Sequence, residues 1–517
     1  MFEPLSEPLK KIARGATILM VGMFLGLLLQ FIARLIVARY ALETDYGIFS
    51  LALVVLTFAM MLASLGLHVG ATRYIAHFRA MGDAAKVRGT ISGSLLMAAT
   101  ASVVIGVALF FGAEAIALNI FHTPDLIPGL KIFSIGVPFF TLINVLVALF
   151  RGFDRVEPQA YFQFILLNTL FPLLLAMPVF LKLPFVSVFY VYLATLVLTF
   201  IALSIYTVKK LPPLTAFAGD KAGIPVTKEL LLFSLPLFGN SICAMVMTWT
   251  DSLMLGYFKT PDVVGLYNSA YPSAQFIVQP LAALALIYVP VATALYSQNL
   301  MAELRRNYAV VTKWLVSLTL PIFLVLCLFP EVTLNLFFGS EYVAAAPALR
   351  LLAFGFMLNN LFGPNGPMLV AMGKPMFLLW AGLAAAGANV ILNIALIPPL
   401  GIVGAAVASV AAMTLGNVVP VAKLYFSYRA QPLSKNLLKP LVLSIGLAFL
   451  FQLIINSFIT VTWWMLLLLF ILYYAIYGIA TVLTRSFDRE DIALLLQIEK
   501  RSGINVTPIK KVLSKFL

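Results

Sequence analysis

The apolar residues of this chain come in long unbroken runs, and that limits its possible folds more than any other feature. In "LLLQFIARLIVARY", Leu27–Tyr40, eleven of fourteen residues are apolar. A transmembrane helix needs roughly 20 such residues in succession, and runs of that order recur along the sequence. Strands of a membrane barrel would alternate apolar and polar residues instead. Charged residues make up 10% of the chain and hydrophobic ones 62%, whereas a soluble domain carries about 25% charged residues. The 517 residues would otherwise suit three or four soluble domains. The runs point to one large all-α bundle in a membrane.

Fourteen helices are expected, at about 15–38, 46–70, 89–113, 128–150, 159–181, 184–208, 230–257, 263–293, 310–330, 344–372, 375–397, 401–426, 437–457 and 461–484. Pro138, Pro172, Pro236, Pro280 and Pro364 fall inside them, which bundled membrane helices tolerate because neighbours and water satisfy the freed carbonyls. The run after Lys10, Lys11 and Arg14 is too long for a cleavable signal core and reads as an anchor. With the N-terminus in the cytoplasm, 28 of the 34 Lys and Arg fall on the cytoplasmic side. Arg39, Lys131, Lys182, Lys259 and Arg350 fall on the other, and Arg34 is left over. This asymmetry predicts a multi-pass protein of the cell (inner) membrane with both termini cytoplasmic. It also accounts for most of the formal charge of +14 without a nucleic-acid partner.

An internal duplication is expected from colinear matches. "YGIFSLA" (Tyr46–Ala52) resembles "VGLYNSA" (Val264–Ala270), pairing Gly47 with Gly265. "LKIFSIG" (Leu130–Gly136) resembles "LRLLAFG" (Leu349–Gly355), pairing Lys131 with Arg350 and Gly136 with Gly355. Gly152 pairs with Gly373, and Asn168 with Asn389. The expected layout is an N-terminal lobe of six helices (1–208), a cytoplasmic linker (209–229), and a pseudo-symmetric second lobe of six (230–426). Two appended helices (427–485) and a basic amphipathic cytoplasmic tail (486–517) follow. Repeats of this kind place a substrate site near the midplane.

Carried back with one residue inserted in the second loop, the alignment sets Arg34 opposite Asp251 in "MTWTDSLMLGYF". A charge at mid-helix costs roughly 2.5–3.5 kcal/mol on insertion scales, so it normally faces a wet interior or a partner. Arg34 either snorkels to the headgroups or faces a cavity, where its planar fork suits a diphosphate. Asp251 is a proton or cation site, or a partner of Arg34. Gln30, Trp249, Asn268, Gln275, Asn144 and Asn360 join them as cavity candidates, each equally able to serve as interhelical glue. Arg73, Arg79 and Arg151 form a cytoplasmic rim that could capture an anionic head group.

Cys243 and Cys327 lie in apolar runs, and the three histidines are scattered. Neither set has metal or disulfide spacing. The sequence contains no nucleotide-binding loop, no zinc-protease motif and no acidic sugar-nucleotide cluster. No catalytic residue and no cofactor are expected. A coupling ion, H+ or Na+, is the open possibility.

The stretches "ARYALETDYGIFSLAL" and "LGLHVGATRYIAHFRAMGD" resemble the opening signature of the polysaccharide-transporter branch of the multidrug/oligosaccharidyl-lipid/polysaccharide (MOP) flippase superfamily. "VVGLYNSAY", "FFGSEYVAAAPALRLLAFG" and "NIALIPPLGIVGAAVAS" are similar to its second half. The resemblance covers roughly residues 10–485. It implies a MATE-like fold of about fourteen helices around a central cavity. It also implies alternating-access flipping of a polyprenyl-diphosphate-linked oligosaccharide from the cytoplasmic to the outer leaflet, for cell-surface glycan assembly. Membrane lipids and glycan-assembly enzymes are the expected partners. Cationic cavity residues hold the diphosphate in related flippases, and Arg34 fits that role best here. The alternative is a cation-coupled multidrug exporter of the MATE type.

Overall fold

The structure, a computed structural model, describes residues 7–211, 224–433, 437–458 and 463–484. The core of the expected linker (212–223) and the basic tail beyond Thr484 lie outside the described residues, as does the side chain of Cys243. Helices, and no strand, build the described residues. All fourteen expected segments are helical, several longer than anticipated. Among the described residues ten helical spans are long and apolar enough to cross a membrane, and shorter apolar helices accompany them.

The helices run α1 (Glu7–Tyr40), α2 (Glu43–Ser64), α3 (Leu67–Ala80), α4 (Ala84–Ala115), α5 (Leu126–Gly152), α6 (Leu167–Leu181), α7 (Ser187–Lys210) and α8 (Ile224–Phe258). They continue with α9 (Pro261–Gln275), α10 (Gln279–Ser297), α11 (Met301–Leu328), α12 (Pro330–Phe337), α13 (Ala346–Leu361), α14 (Asn365–Ala371), α15 (Pro375–Leu400), α16 (Ile402–Tyr428), α17 (Leu438–Phe458) and α18 (Trp463–Leu483). A π-helical segment, Gln159–Leu166, leads into α6.

Three expected helices are interrupted. The span 46–70 breaks between α2 and α3, where Leu65 and Gly66 are left-handed at φ 47 and 72. A Cβ on Gly66 would stand 2.5 Å from the Ser234 carbonyl oxygen of α8, so this turn needs glycine both for its backbone angle and for the approach of α8. The span 263–293 breaks between α9 and α10, and Pro280 opens α10. The span 344–372 breaks between α13 and α14 at Phe362–Pro364. Pro280 and Pro364 thus sit at helix starts, where a missing N–H costs little. Pro138 and Pro172 lie within helices.

The chain divides into two compact units, one of Arg14–Gly265 and one built chiefly of residues after Gly265. In the first, α5 packs against α2, α4 and α7, and α8 lies on α2, α3 and α4. Its aromatic centre is Phe49, Phe133, Phe171, Phe189 and Tyr192, with ring centroids 5.1–6.2 Å apart. In the second, α16 packs against α13 and α15, and α11 against α13.

Within the first unit α2 and the opening turns of α9 cross at the glycines matched by the repeat. A Cβ on Gly47 would meet the Pro261 carbonyl oxygen at 1.7 Å, and one on Gly265 would meet the Glu43 carbonyl oxygen at 2.2 Å. Each glycine faces the carbonyl four residues before the other, the reciprocity of a two-fold contact. Only glycine lets two membrane helices approach so closely.

Candidate functional site

Arg34 stands on a stripe of α1 that repeats every four residues: Gly22, Gly26, Gln30 and Arg34. A Cβ on Gly22 would lie 2.8 Å from Cβ of Ala160, and one on Gly26 2.7 Å from the Phe164 carbonyl oxygen. The two glycines therefore hold α1 against the π-helical segment. Gln30 is exposed and Arg34 half-buried. The guanidinium lies within electrostatic reach of the hydroxyls of Tyr46 and Tyr192, the latter one of the central rings. Among the described residues Arg34 makes no hydrogen bond or ion pair. A cation facing two phenols and holding no carboxylate is suited to an incoming anion.

Asp251 is buried, at 3% exposure, and engaged by neighbouring groups. Trp249, on the same helix, is half-buried. Asn144 is fully used inside the first unit: its Nδ2 donates to the Phe140 carbonyl oxygen at 2.8 Å, and its Oδ1 accepts from Gln163 Nε2 at 2.8 Å.

In the second unit Asn268 is buried and engaged, and Gln275 is half-buried at the end of α9. Asn360 has no exposed surface. Its Nδ2 donates to the Ile277 carbonyl oxygen at 2.7 Å and to Thr319 Oγ1 at 3.0 Å. These bonds tie α13 to α11 and to the break before α10, so Asn360 holds helices together. Asn389 and Asn393 are likewise buried, with Asn393 Nδ2 donating to Asn389 Oδ1 at 3.2 Å.

The basic rim gathers around α3 and the end of α5. Arg73 lies over the Phe233 ring, 4.2 Å from its centroid. Arg79 donates to the Gly152 carbonyl oxygen at 2.9 Å and pairs with Asp154 at 3.2 Å. It thereby completes the C-terminus of α5, where a cation is favoured; the exposed ion pair itself contributes about 0–1 kcal/mol. Arg151 Nη2 donates to the His68 carbonyl oxygen at 3.4 Å, while its Nε is buried without a partner. Arg73 makes no hydrogen bond or ion pair among the described residues, and Arg151 keeps its buried Nε unpartnered.

Two residues escaped the sequence reading. Lys313, counted there with the cytoplasmic loops, is buried on α11 at 3% exposure and is engaged. Its signal was a lone cation inside "VVTKWLV". Asn417, a single amide in "TLGNVVP", bonds to Asn359 and Asn365. Among the described residues no three His, Cys, Asp or Glu side chains gather as a metal site.

Residues 12–295 match the family described as polysaccharide biosynthesis protein. The chain belongs to that family. Residues 236–395 also match the MatE family. An uncharacterized membrane protein of Methanocaldococcus jannaschii is 28% identical over 226 residues, 42% of this chain and 43% of that protein. Agl15 of Haloferax volcanii, a probable low-salt glycan biosynthesis flippase, is 27% identical over 180 residues, 35% of this chain and 38% of that protein. The chain thus spans about two fifths of the length of these curated relatives. Among solved structures, the lipid II flippase MurJ in an inward closed conformation aligns with a TM-score of 0.69 at 15% identity, covering 89% of this chain and 97% of that one. An inward-facing multidrug resistance MATE family transporter of the MOP superfamily aligns at 0.65 and 17%, covering 81% and 98%. These likenesses establish a MOP-superfamily fold for this member of the polysaccharide biosynthesis family.

Proposed function

We propose that the protein is a flippase that moves a polyprenyl-diphosphate-linked oligosaccharide from the cytoplasmic to the outer leaflet, for assembly of a cell-surface glycan. A glycan cannot cross hydrocarbon unaided, whereas its polyprenyl tail can stay in lipid. The observation that carries this reading is Arg34: a half-buried guanidinium on a membrane-length helix, without an ion pair among the described residues. Its fork would bind the diphosphate bidentately, and the rim cation Arg151 would meet the head group first. Family membership and the names of Agl15 and MurJ support the same chemistry. Both termini lie in the cytoplasm in this proposal, the lobes rock about the site, and a proton or sodium gradient supplies the drive with Asp251 as its site. Glycan-assembly enzymes are the partners on either side.

The test is a reconstituted leaflet-accessibility assay with a fluorescent lipid-linked oligosaccharide. Arg34→Gln is expected to lower translocation at least about tenfold, the effect of losing one desolvated charge-assisted contact, with insertion intact. Normal translocation by well-folded Arg34→Gln removes Arg34 from the mechanism. The buried Asp251 beside Trp249, together with the MatE match, favours a second reading as a cation-coupled drug exporter. Transport of organic cations, with no movement of the lipid-linked sugar, would establish that reading instead.

A further inference from the structure

The second unit holds a directed chain of three amides. Asn365 Nδ2 donates to Asn417 Oδ1 at 2.8 Å, and Asn417 Nδ2 donates to Asn359 Oδ1 at 2.8 Å. Backbone carbonyls set its direction, because they can only accept. Asn417 Nδ2 also donates to the Met413 carbonyl oxygen at 2.8 Å, and Asn365 Nδ2 faces that of Gly363 at 3.5 Å. Neither amide can be turned round without setting oxygen against oxygen. Asn359 must therefore offer its oxygen to the chain and turn its NH2 group away. Among the described residues that NH2 group has no partner.

Asn365 is buried, whereas Asn417 and Asn359 are half-buried. The chain thus runs from the interior of the unit to its surface. Asn359 lies nine residues beyond Arg350, about 13 Å of helix rise along a span apolar enough to cross a membrane. A free donor facing acyl chains there would be costly. Its open donor is therefore better matched to a polar ligand than to lipid. Each amide in the series also polarises the next, which strengthens the terminal donor.

We infer that Asn359 is a sugar contact, held in orientation by Asn417 and Asn365, that selects a glycan bearing a carbonyl or carboxylate oxygen. This rests on the flippase reading. A site that presents donors alone pairs best with an oxygen that only accepts, such as an acetamido carbonyl or a uronic carboxylate. A neutral hexose offers hydroxyls, which gain less from it. Asn359 contacts substrate; Asn417 is a positioning residue.

The experiment measures apparent affinity in proteoliposomes for polyprenyl diphosphate carrying an N-acetylhexosamine, a hexuronic acid or a plain hexose. The unsubstituted protein is expected to prefer one or both carbonyl-bearing lipids over the hexose by about tenfold, the effect of one hydrogen bond whose loss leaves a partner unpaired. Asn359→Asp is expected to abolish that preference, because its carboxylate still accepts from Asn417 while the outward donors are lost, with the fold itself checked by thermal unfolding. Asn417→Ala is expected to reduce the preference by releasing Asn359. The inference is overturned if the unsubstituted protein moves all three lipids equally, or if Asn359→Asp keeps the preference. It is equally overturned if both variants only lose stability and weaken every lipid alike. If the unsubstituted protein moves none of the three, the flippase reading itself falls.

Discussion

Helices α5 and α13 hold matched places in the two repeats, yet they diverge within one turn. Lys131 and Gly136 on α5 answer to Arg350 and Gly355 on α13. Four residues after each glycine, α5 carries Phe140–Thr141 and α13 carries Asn359–Asn360. Around the first turns of α5 the neighbours are rings, the buried Thr141 hydroxyl has no partner, and a turn further on Asn144 accepts from Gln163. Around α13 the amides reach α11, α16 and the chain break before α10. The comparison teaches that two stretches of matched sequence keep some close-approach glycines, as at Gly47 and Gly265, and lose others, as at Gly373, while their polar lining differs. One region sets a cluster of aromatic rings beside the Arg34 guanidinium and one amide pair, and the other builds an ordered series of three amides.

The shared scaffold is the easiest part of this comparison to break. Gly47→Ala and Gly265→Ala should each destabilise the protein by about 3 kcal/mol or more, the upper end of overpacking, since each new methyl would meet a backbone oxygen that cannot rotate away. Gly82→Ala, left-handed at φ 70 but with nothing within 4 Å of its Cβ, should cost less. Thermal unfolding in detergent ranks the three variants, and a harmless Gly265→Ala beside a damaging Gly47→Ala would refute the two-fold contact.

The divergent interiors give a smaller contrast. Asn360→Leu removes two hydrogen bonds and strands the Ile277 carbonyl, at a cost of roughly 1–3 kcal/mol. Thr141→Val, at the matched position of α5, deletes a hydroxyl that bonds to nothing and should be neutral or slightly stabilising. Equal losses in the two variants would erase the distinction between the regions.

The smallest effect separates the matched helices α4 and α11. Asp83 caps α4 by accepting from the Lys86 backbone N–H at 2.9 Å, whereas Leu300 opens α11 without a side-chain cap. That backbone bond, assisted by the Lys86 side chain, holds the Asp83 carboxyl below the usual aspartate pKa. A depressed folded-state pKa stabilises above the unfolded value, and the gain is lost as pH falls through the folded one. Hydrogen-exchange protection at the start of α4, taken relative to the intrinsic rate at each pH, should therefore fall in acid, and Asp83→Asn should flatten that response. Exchange at the start of α11 should lack this carboxylate-dependent step.

Much of this molecule was legible in the order of its residues. A membrane charges heavily for exposed backbone and buried charge, so apolar runs announce helices without reference to any partner. The pairing of Gly47 with Gly265 also came from sequence alone, because close approach tolerates only one residue type. The fate of the amides did not. Asn360 read equally as cavity contact or interhelical glue; its NH2 group is bonded on two sides while its Oδ1 is unpartnered, and its neighbour Asn359 carries an open NH2 group. Lys313 looked like a loop cation and is buried. Adjacent residues on a helix point about 100° apart, and whether an amide spends its hydrogen atoms inside or keeps them for a ligand depends on which carbonyls other helices bring near. Composition and periodicity determined that this chain folds as a membrane bundle, while only the packing of distant segments decided which polar groups stayed available.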